Sequence, residues 1–264
     1  MSKINQVNIK LVPLIHLDTE SQIKIRDIRN EQNVRKWMYS DHVIGVNEHL
    51  DWINKIKQDD RQIVFAVLGE NNIPLGVASV GLIDRIHKKT DWAYYLTEDA
   101  RGGLGSAIEW NFINFIFDVL GVDKLNCEVI DGNDAVVKMH KKFSFQEEGY
   151  RRSNVVKNEE RIGVHLLGLT KEDWLDNKNK IFETHKVLFE KFSISIVWGG
   201  DSKNKISVID KIEAARAKNN LNWMSILRLA LEKSPETAKP IVEEIKKIDR
   251  QISGLTDAVS GPPT

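Results

Sequence analysis

Apolar positions switch between two periods along the first ~170 residues, a rhythm that predicts alternating strands and helices. NIKLVPL (8–14) is apolar and β-branched and predicts a strand. A more polar stretch from about Ser21 to Met38 predicts one helix. After the turn-like SDHVIG a second runs from about Asn47 to Gln58, where Leu50, Ile53 and Ile56 recur at helical spacing. Three strands are expected next, IVFAVLG (63–69), PLGVASVGLI (74–83) and TDWAYYLTE (90–98), the first two joined as a hairpin through ENNIP. Gly102-Gly103-Leu104-Gly105 then opens a long helical run, SAIEWNFINFIFDVLG, with Gly121 as its stop. KLNCEVI (124–130) predicts a strand, DGNDAVVKMHKKF a short helix, and FQEEGYRRSNVV with RIGVHLLGL two closing strands.

Beyond Thr170 the pattern changes. KEDWLDNKNKIFETHKVLFEKF predicts a helix and SISIVWGG a short strand ending at a glycine pair. After Asn204 only helices are expected. In the last of them Ser234 is the expected N-cap and Pro235 the first helical residue, while Pro240 removes one helical hydrogen bond or bends the axis. Ile241, Ile245, Ile248, Ile252 and Leu255 alternate steps of four and three, the spacing of an a/d seam. Three parts follow: a domain over 1–172, a connecting helix and linker over 173–204, and a helical accessory domain over 205–264. Some sixty helical residues make a marginal core alone. The last part is therefore expected to pack on the first domain, a second copy of the chain or a protein partner.

Composition narrows the function classes. The 264 residues carry 38 Lys+Arg and 38 Asp+Glu, so no cationic surplus is available for a general grip on nucleic acid. The single Cys excludes an internal disulfide framework and a multi-thiolate zinc site, and no other metal-ligand set stands out. No apolar run approaches the roughly 20 residues that span a bilayer, and the start lacks the apolar core of a secretory signal. A soluble, cytoplasmic protein with no membrane or nucleic-acid partner is the expectation.

The most informative stretch is YYLTEDARGGLGSA (94–107), a strand running through glycines into a helix. Glycines let backbone N–H groups approach an anion, and the helix N-terminus adds its dipole, so the stretch reads as a phosphate cradle or as a tight helix-capping turn. A dinucleotide fingerprint would stand near the first strand, and no Gly-Lys-Ser/Thr of a Walker loop follows. The second stretch is NDAVVKMHKKFSF (133–145).

Together the two stretches resemble the GNAT acetyltransferase superfamily over residues 8 to 170. The glycine turn is similar to its Q/R-x-x-G-x-G/A coenzyme A loop, with Ala100 at the first position, Arg101 beside it, and Gly103 and Gly105 at the central ones. The later stretch is similar to its NxxAxxxYxxxGF pattern through Asn133, Val136, His140, Ser144 and Phe145. Ala100 removes one phosphate contact, Ser144 for Gly suggests a looser turn, and His140 stands where the family has Tyr. The implied fold is α+β: a mixed, largely antiparallel sheet with two splayed central parallel strands and flanking helices, followed here by the small, mainly helical domain.

The resemblance also implies a chemistry. Acetyl-CoA would lie between splayed strands 92–97 and 124–130, its pantetheine arm on the backbone near Leu96. Its phosphates would sit on Arg101, Gly102, Gly103, Leu104, Gly105 and Ser106, with Asn133 beyond. A neutral amine attacks the thioester directly in a ternary complex, and the departing thiolate takes a proton. His140 is the candidate acid, because imidazole donates near neutral pH; it reads also as a core histidine on its helix. Glu128 is the candidate that orients or deprotonates the amine, and reads also as a solvated edge carboxylate. Cys127 must point to the opposite face from Glu128 and reads as a structural thiol.

The N-terminal stretch IRNEQNVRKWMYSDHVIGVNEHLDWINKI resembles the sugar-nucleotide N-acetyltransferases of pseudaminic acid synthesis, which act on the 4-amine of a UDP-amino-deoxy-sugar and feed glycosylation of flagellin or surface glycans. The resemblance rests on Arg29 with Asn30, Met38 with Tyr39, and His49 with Leu50; HKKTDWAYYL adds Lys89. Arg29, His49 and Lys89 are the expected cations for a diphosphate, and Met38, Tyr39 and Trp52 the flat apolar surface for a uracil. Other acceptors, namely a protein N-terminus, a polyamine or an antibiotic, and a non-catalytic CoA-binding role, are the alternatives.

Overall fold

The computed structural model describes residues 6–100 and 102–198. The expected helices after Asn204, with their a/d seam, lie outside the described residues, as do the glycine pair 199–200 and Arg101. Among the described residues, six α-helices and eight strands are ordered β1 (Val7–Pro13), α1 (Thr19–Asn30), α2 (Gln32–Arg35), α3 (Val46–Ile56), β2 (Ile63–Leu68), β3 (Pro74–Asp84), β4 (Lys89–Leu96), α4 (Leu104–Asp118), β5 (Lys124–Ile130), α5 (Asp134–Lys142), β6 (Gln146–Lys157), β7 (Glu160–Thr170), α6 (Lys171–Phe189) and β8 (Phe192–Ile196).

The strands form one sheet in the order β6-β7-β5-β4-β3-β2-β1-β8. Neighbours are antiparallel except for two pairs, β4 with β5 and β1 with β8. The α+β architecture read from the sequence is thus present. Period-two alternation sorts β2 between two cores: Val64, Ala66 and Leu68 face α1 and α3, while Phe65 and Val67 face α4. The second face is the larger core, built on Phe112, Phe117, Phe143, Phe145 and Trp174, all nearly inaccessible.

Two segments depart from the expected pattern. The helix expected from Ser21 to Met38 ends at Asn30, and a four-residue helix restarts after Glu31, whose φ −55° and ψ 136° are extended. Long-range bonds cause the break. The Asn30 amide group spans to Ile44, donating to its carbonyl at 3.0 Å and accepting from its N–H at 2.8 Å. The Glu31 carboxylate accepts from the Thr97 hydroxyl at 2.8 Å and the Glu98 N–H at 3.3 Å. The α1–α2 corner therefore grips the exit of β4.

The stretch 173–204, expected as connecting helix and linker, belongs in its described part to the same compact body as the strands and helices before it. Thr170 caps α6 by accepting from the Asp173 N–H at 3.1 Å. Trp174, Phe182 and Phe189 of α6 then pack on Trp110 of α4. β8 pairs in parallel along the outer edge of β1, Val7 opposite Phe192 through Leu11 opposite Ile196.

Candidate active site

The site begins where two strands part. β4 and β5 pair at Lys89–Lys124, Thr90–Leu125 and Asp91–Asn126 and then stop pairing. The Asn126 side chain donates to Asp91 at 3.0 Å across the last rung. From Trp92 onward β4 keeps only its β3 neighbour, and from Cys127 onward β5 keeps only β7. The resulting wedge has free backbone groups along one side of β4, among them those of Leu96. Buried backbone groups need partners, so the wedge suits an extended ligand that supplies hydrogen bonds.

The glycine turn closes one end of this wedge. Gly102 and Gly103 both take left-handed backbone, φ 90° and 94°. No side chain caps α4, so the first N–H groups of the helix, on Leu104, Gly105 and Ser106, lack a capping partner. Gly103 has a second reason to lack a side chain: a Cβ there would stand 2.2 Å from Cδ1 of Leu188 on α6. At Gly105 a Cβ would stand 3.0 Å from the Tyr94 hydroxyl. Left-handed glycines, uncapped N–H groups and a helix dipole together fit a diphosphate, and on this ground the residues present fit coenzyme A.

His140 lies at the apex of the wedge. It is 4% exposed, and its ring packs edge-on against Trp92, the first residue of β4 past the last rung, with centroids 5.4 Å apart. Phe145 covers another side at 5.2 Å. Nδ1 stands 2.6 Å from Oε1 of Glu109 on α4. Cys127 is the first residue of β5 past the rung, and its buried thiol is one of the groups that bear on the charge of the imidazole. Burial opposes a charge on this ring, and the Glu109 carboxylate beside it outweighs burial, holding the imidazole above its ordinary range. Burial raises the Glu109 carboxyl and the Cys127 thiol. Sequence reasoning missed Glu109. Its signal was there: a lone carboxylate on the buried side of the otherwise apolar run SAIEWNFINFIF.

The α5 segment keeps its turn. The Asn133 side chain makes no cap, but its carbonyl accepts from Val136 and Val137 at 3.0 and 3.2 Å. The looser turn expected at Ser144 is not found. Ser144 itself takes left-handed backbone, φ 69°, and Phe145 N–H donates to the His140 carbonyl at 3.2 Å. A left-handed residue with a Cβ is strained by roughly 1 kcal/mol. Ser144→Gly is therefore expected to stabilise the fold by about 1 kcal/mol in urea denaturation without changing turnover.

Glu128 stands on the opposite face of β5 from Cys127, side chain 28% exposed, and is held by Tyr39 from above and Arg151 of β6 from the side. Tyr39 comes from the stretch after α2, so this stretch reaches across to the splayed strand. Burial and the Glu128 carboxylate raise the Tyr39 phenol well above its ordinary range. Arg29 is half-buried; Nη2 donates to the Ser40 carbonyl at 2.9 Å and Nη1 is buried with no partner among the described residues. Lys157, at the end of β6, is buried and donates to the carbonyls of Arg35 and Lys36 at 3.1 and 2.6 Å, which ties the β6–β7 hairpin to α2. Arg151 and Lys157 carried no sequence signal, because their partners lie more than twenty residues away.

The other expected acceptor-side residues divide. Met38 packs on the α1–α3 core, while Tyr39 and Trp52 present 48% and 36% of their surface. His49 is 3% exposed and donates from Nε2 to the Gln22 carbonyl at 2.9 Å; burial pushes its pKa down, so it is a neutral tie between α3 and α1. Lys89 stands at the paired end of β4, about 23 Å along the strand from Leu96. Arg29 bonds the Ser40 carbonyl, next in the chain to Tyr39, whose hydroxyl reaches Glu128 of β5, while Lys89 stands at the paired end of β4. Among the described residues no group of three or more His, Cys, Asp or Glu could hold a metal ion, and no helix is long and apolar enough to cross a membrane.

Comparison with known proteins agrees with this geometry. The family model of the acetyltransferase (GNAT) domain matches residues 8–146. Acetyltransferase PseH of Campylobacter jejuni is 26% identical over 140 residues, 52% of this chain and 84% of that protein. The prophage-derived N-acetyltransferase YokL of Bacillus subtilis is 26% identical over 133 residues, 49% of this chain and 73% of that protein. Among solved structures, the spermidine N-acetyltransferase of Vibrio cholerae in complex with CoA and spermine superposes with a TM-score of 0.58 at 18% identity, covering 64% of this chain and 98% of that one.

Proposed function

The chain belongs to the acetyltransferase (GNAT) family and is an N-acetyltransferase, and from that premise we propose that it acetylates the 4-amino group of a UDP-amino-deoxy-sugar, with acetyl-CoA as donor, in nonulosonic acid synthesis of the pseudaminic type. The observation that carries this reading is the reach of Tyr39 to Glu128. The stretch with the sugar-nucleotide resemblance (28–56) lies against the splayed strand, beside the wedge. In this reading Arg29 offers an unpartnered guanidinium nitrogen to a phosphate and Tyr39 an exposed ring to a base, with Trp52, whose ring lies against His49, as a further exposed ring of the same stretch. His49, buried in its tie to Gln22, and Lys89, at the far end of β4, take no part in this version of the site.

Bound acetyl-CoA supplies an activated thioester. The backbone of β4 holds the donor arm, and the uncapped start of α4 holds its phosphates. Glu128, fixed by Tyr39 and Arg151, orients the acceptor amine, and His140 protonates the leaving sulfur. Product glycans on flagellin or the cell surface are the destination this reading implies.

UDP alone tests the acceptor side. Mass action predicts ~2.7 kcal/mol of stabilisation at a hundredfold excess over the dissociation constant. A rise of several degrees in the melting temperature is expected with UDP, and none with spermidine. The reverse pattern overturns the sugar-nucleotide reading.

A further inference from the structure

The pair His140–Glu109 has no structural purpose that a core requires. Both side chains are buried, Glu109 entirely, among Trp92, Phe112 and Phe145. Oε2 of Glu109 has no hydrogen-bond partner among the described residues. Taking two charges out of water costs more than their attraction returns unless every lone pair is satisfied, and here one oxygen is not. An apolar pair of equal volume would hold the core as well. A pair kept at such a cost, at the apex of the wedge, points to chemistry.

We propose that Glu109 is the positioning residue of acetyl transfer: its carboxylate anchors Nδ1 of His140, leaving Nε2 as the nitrogen that faces the splay and protonates the leaving thiolate. Three observations support this. The 2.6 Å contact occupies Nδ1 and fixes the ring's orientation. The ring touches Trp92, the first residue of β4 past the last shared rung, so it stands where the strands diverge. The carboxylate also offsets the desolvation that would leave a lone buried imidazole neutral and without a proton to give.

The proton balance is simple. The acceptor amine, already neutral, forms a C–N bond to the thioester carbon as the C–S bond breaks. The electron pair of that bond leaves on sulfur, which takes the Nε2 proton. The new amide nitrogen loses its extra proton to water, and His140 regains one from water. The inference rests on the chain's N-acetyltransferase activity but not on which amine it consumes. The titratable groups that face His140 are Glu109 from α4 and Cys127 from β5; Tyr94 from β4 couples to both of these, and Asp91 to Cys127.

Two measurements test it. The first needs no turnover: the imidazole ¹⁵N shifts of His140, identified by their loss in His140→Gln. The full-length protein is expected to hold His140 as imidazolium through pH 8, and Glu109→Gln to move its titration below pH 7. A neutral His140 in the unaltered protein at pH 7 overturns the proposal. The second is the pH profile of kcat with whichever amine the unaltered protein consumes, so that a wrong acceptor assignment leaves the comparison intact. Glu109→Gln is expected to lower kcat at least tenfold at pH 8, with a smaller gap at pH 6 and KM values within twofold. Glu109→Asp is expected to recover part of the loss, and it carries the test if Glu109→Gln does not fold. A lower melting temperature with an unchanged pH profile shows a merely structural pair and overturns the proposal.

Discussion

Replacing His140 with alanine is expected to lower kcat by about a hundredfold or more while CoA still binds, the range for loss of a general acid. The expectation follows from where the ring sits: against Trp92, the first residue of β4 past its last rung with β5, with one nitrogen tied to Glu109. Truncation also strands the Glu109 carboxylate in the core, a destabilisation of roughly 3–5 kcal/mol. A fall in activity alone would thus be ambiguous. The double variant His140→Ala/Glu109→Gln separates the effects, because it removes the stranded charge. Stability is expected to return toward that of the unaltered protein and kcat to stay low. If turnover of His140→Ala remains within twofold, another group protonates the thiolate.

The second large effect is expected at Gly103. Alanine there meets two obstacles, a φ of 94° and a Leu188 methyl 2.2 Å from the new Cβ. The backbone conformation alone costs roughly 1–2 kcal/mol, and the overlap forces the turn or α6 to shift. Either shift re-aims the N–H groups that open α4. Since each 1.4 kcal/mol is a factor of ten, CoA affinity is expected to fall at least tenfold by calorimetry. Gly102→Ala is the internal control. Its φ is similar, 90°, but no atom lies within 4 Å of the new Cβ. It is expected to show the smaller loss, and Gly103→Ala/Leu188→Ala to recover part of the larger one. Unchanged CoA affinity in Gly103→Ala would remove this turn from the donor site.

Much of the framework was legible because it is local. The strands at 63–68, 74–84, 89–96 and 124–130 announce themselves by β-branched and aromatic runs, and the glycine turn by residues that must take positive φ. What was illegible is long-range. Glu31 breaks a helix-forming stretch because Thr97 and Glu98 claim its carboxylate from 66 and 67 residues away. SISIV reads as a strand, but nothing in five residues says that it will pair in parallel with β1. His49 has the spacing of a surface cation and is buried, since its other neighbour is the carbonyl of Gln22. Arg151 sits on a polar strand and earns its place only through Glu128. Helical period and strand alternation fix which face a side chain joins. They do not fix which partner waits there.

The measurement that bears most directly on the central claim is thiol release from acetyl-CoA with a panel of amines: UDP-4-amino-6-deoxy sugars of both configurations, spermidine and a peptide with a free N-terminus. Release is expected with a UDP-amino-sugar and with no other member of the panel. Release with spermidine or the peptide, and none with either sugar nucleotide, would contradict it.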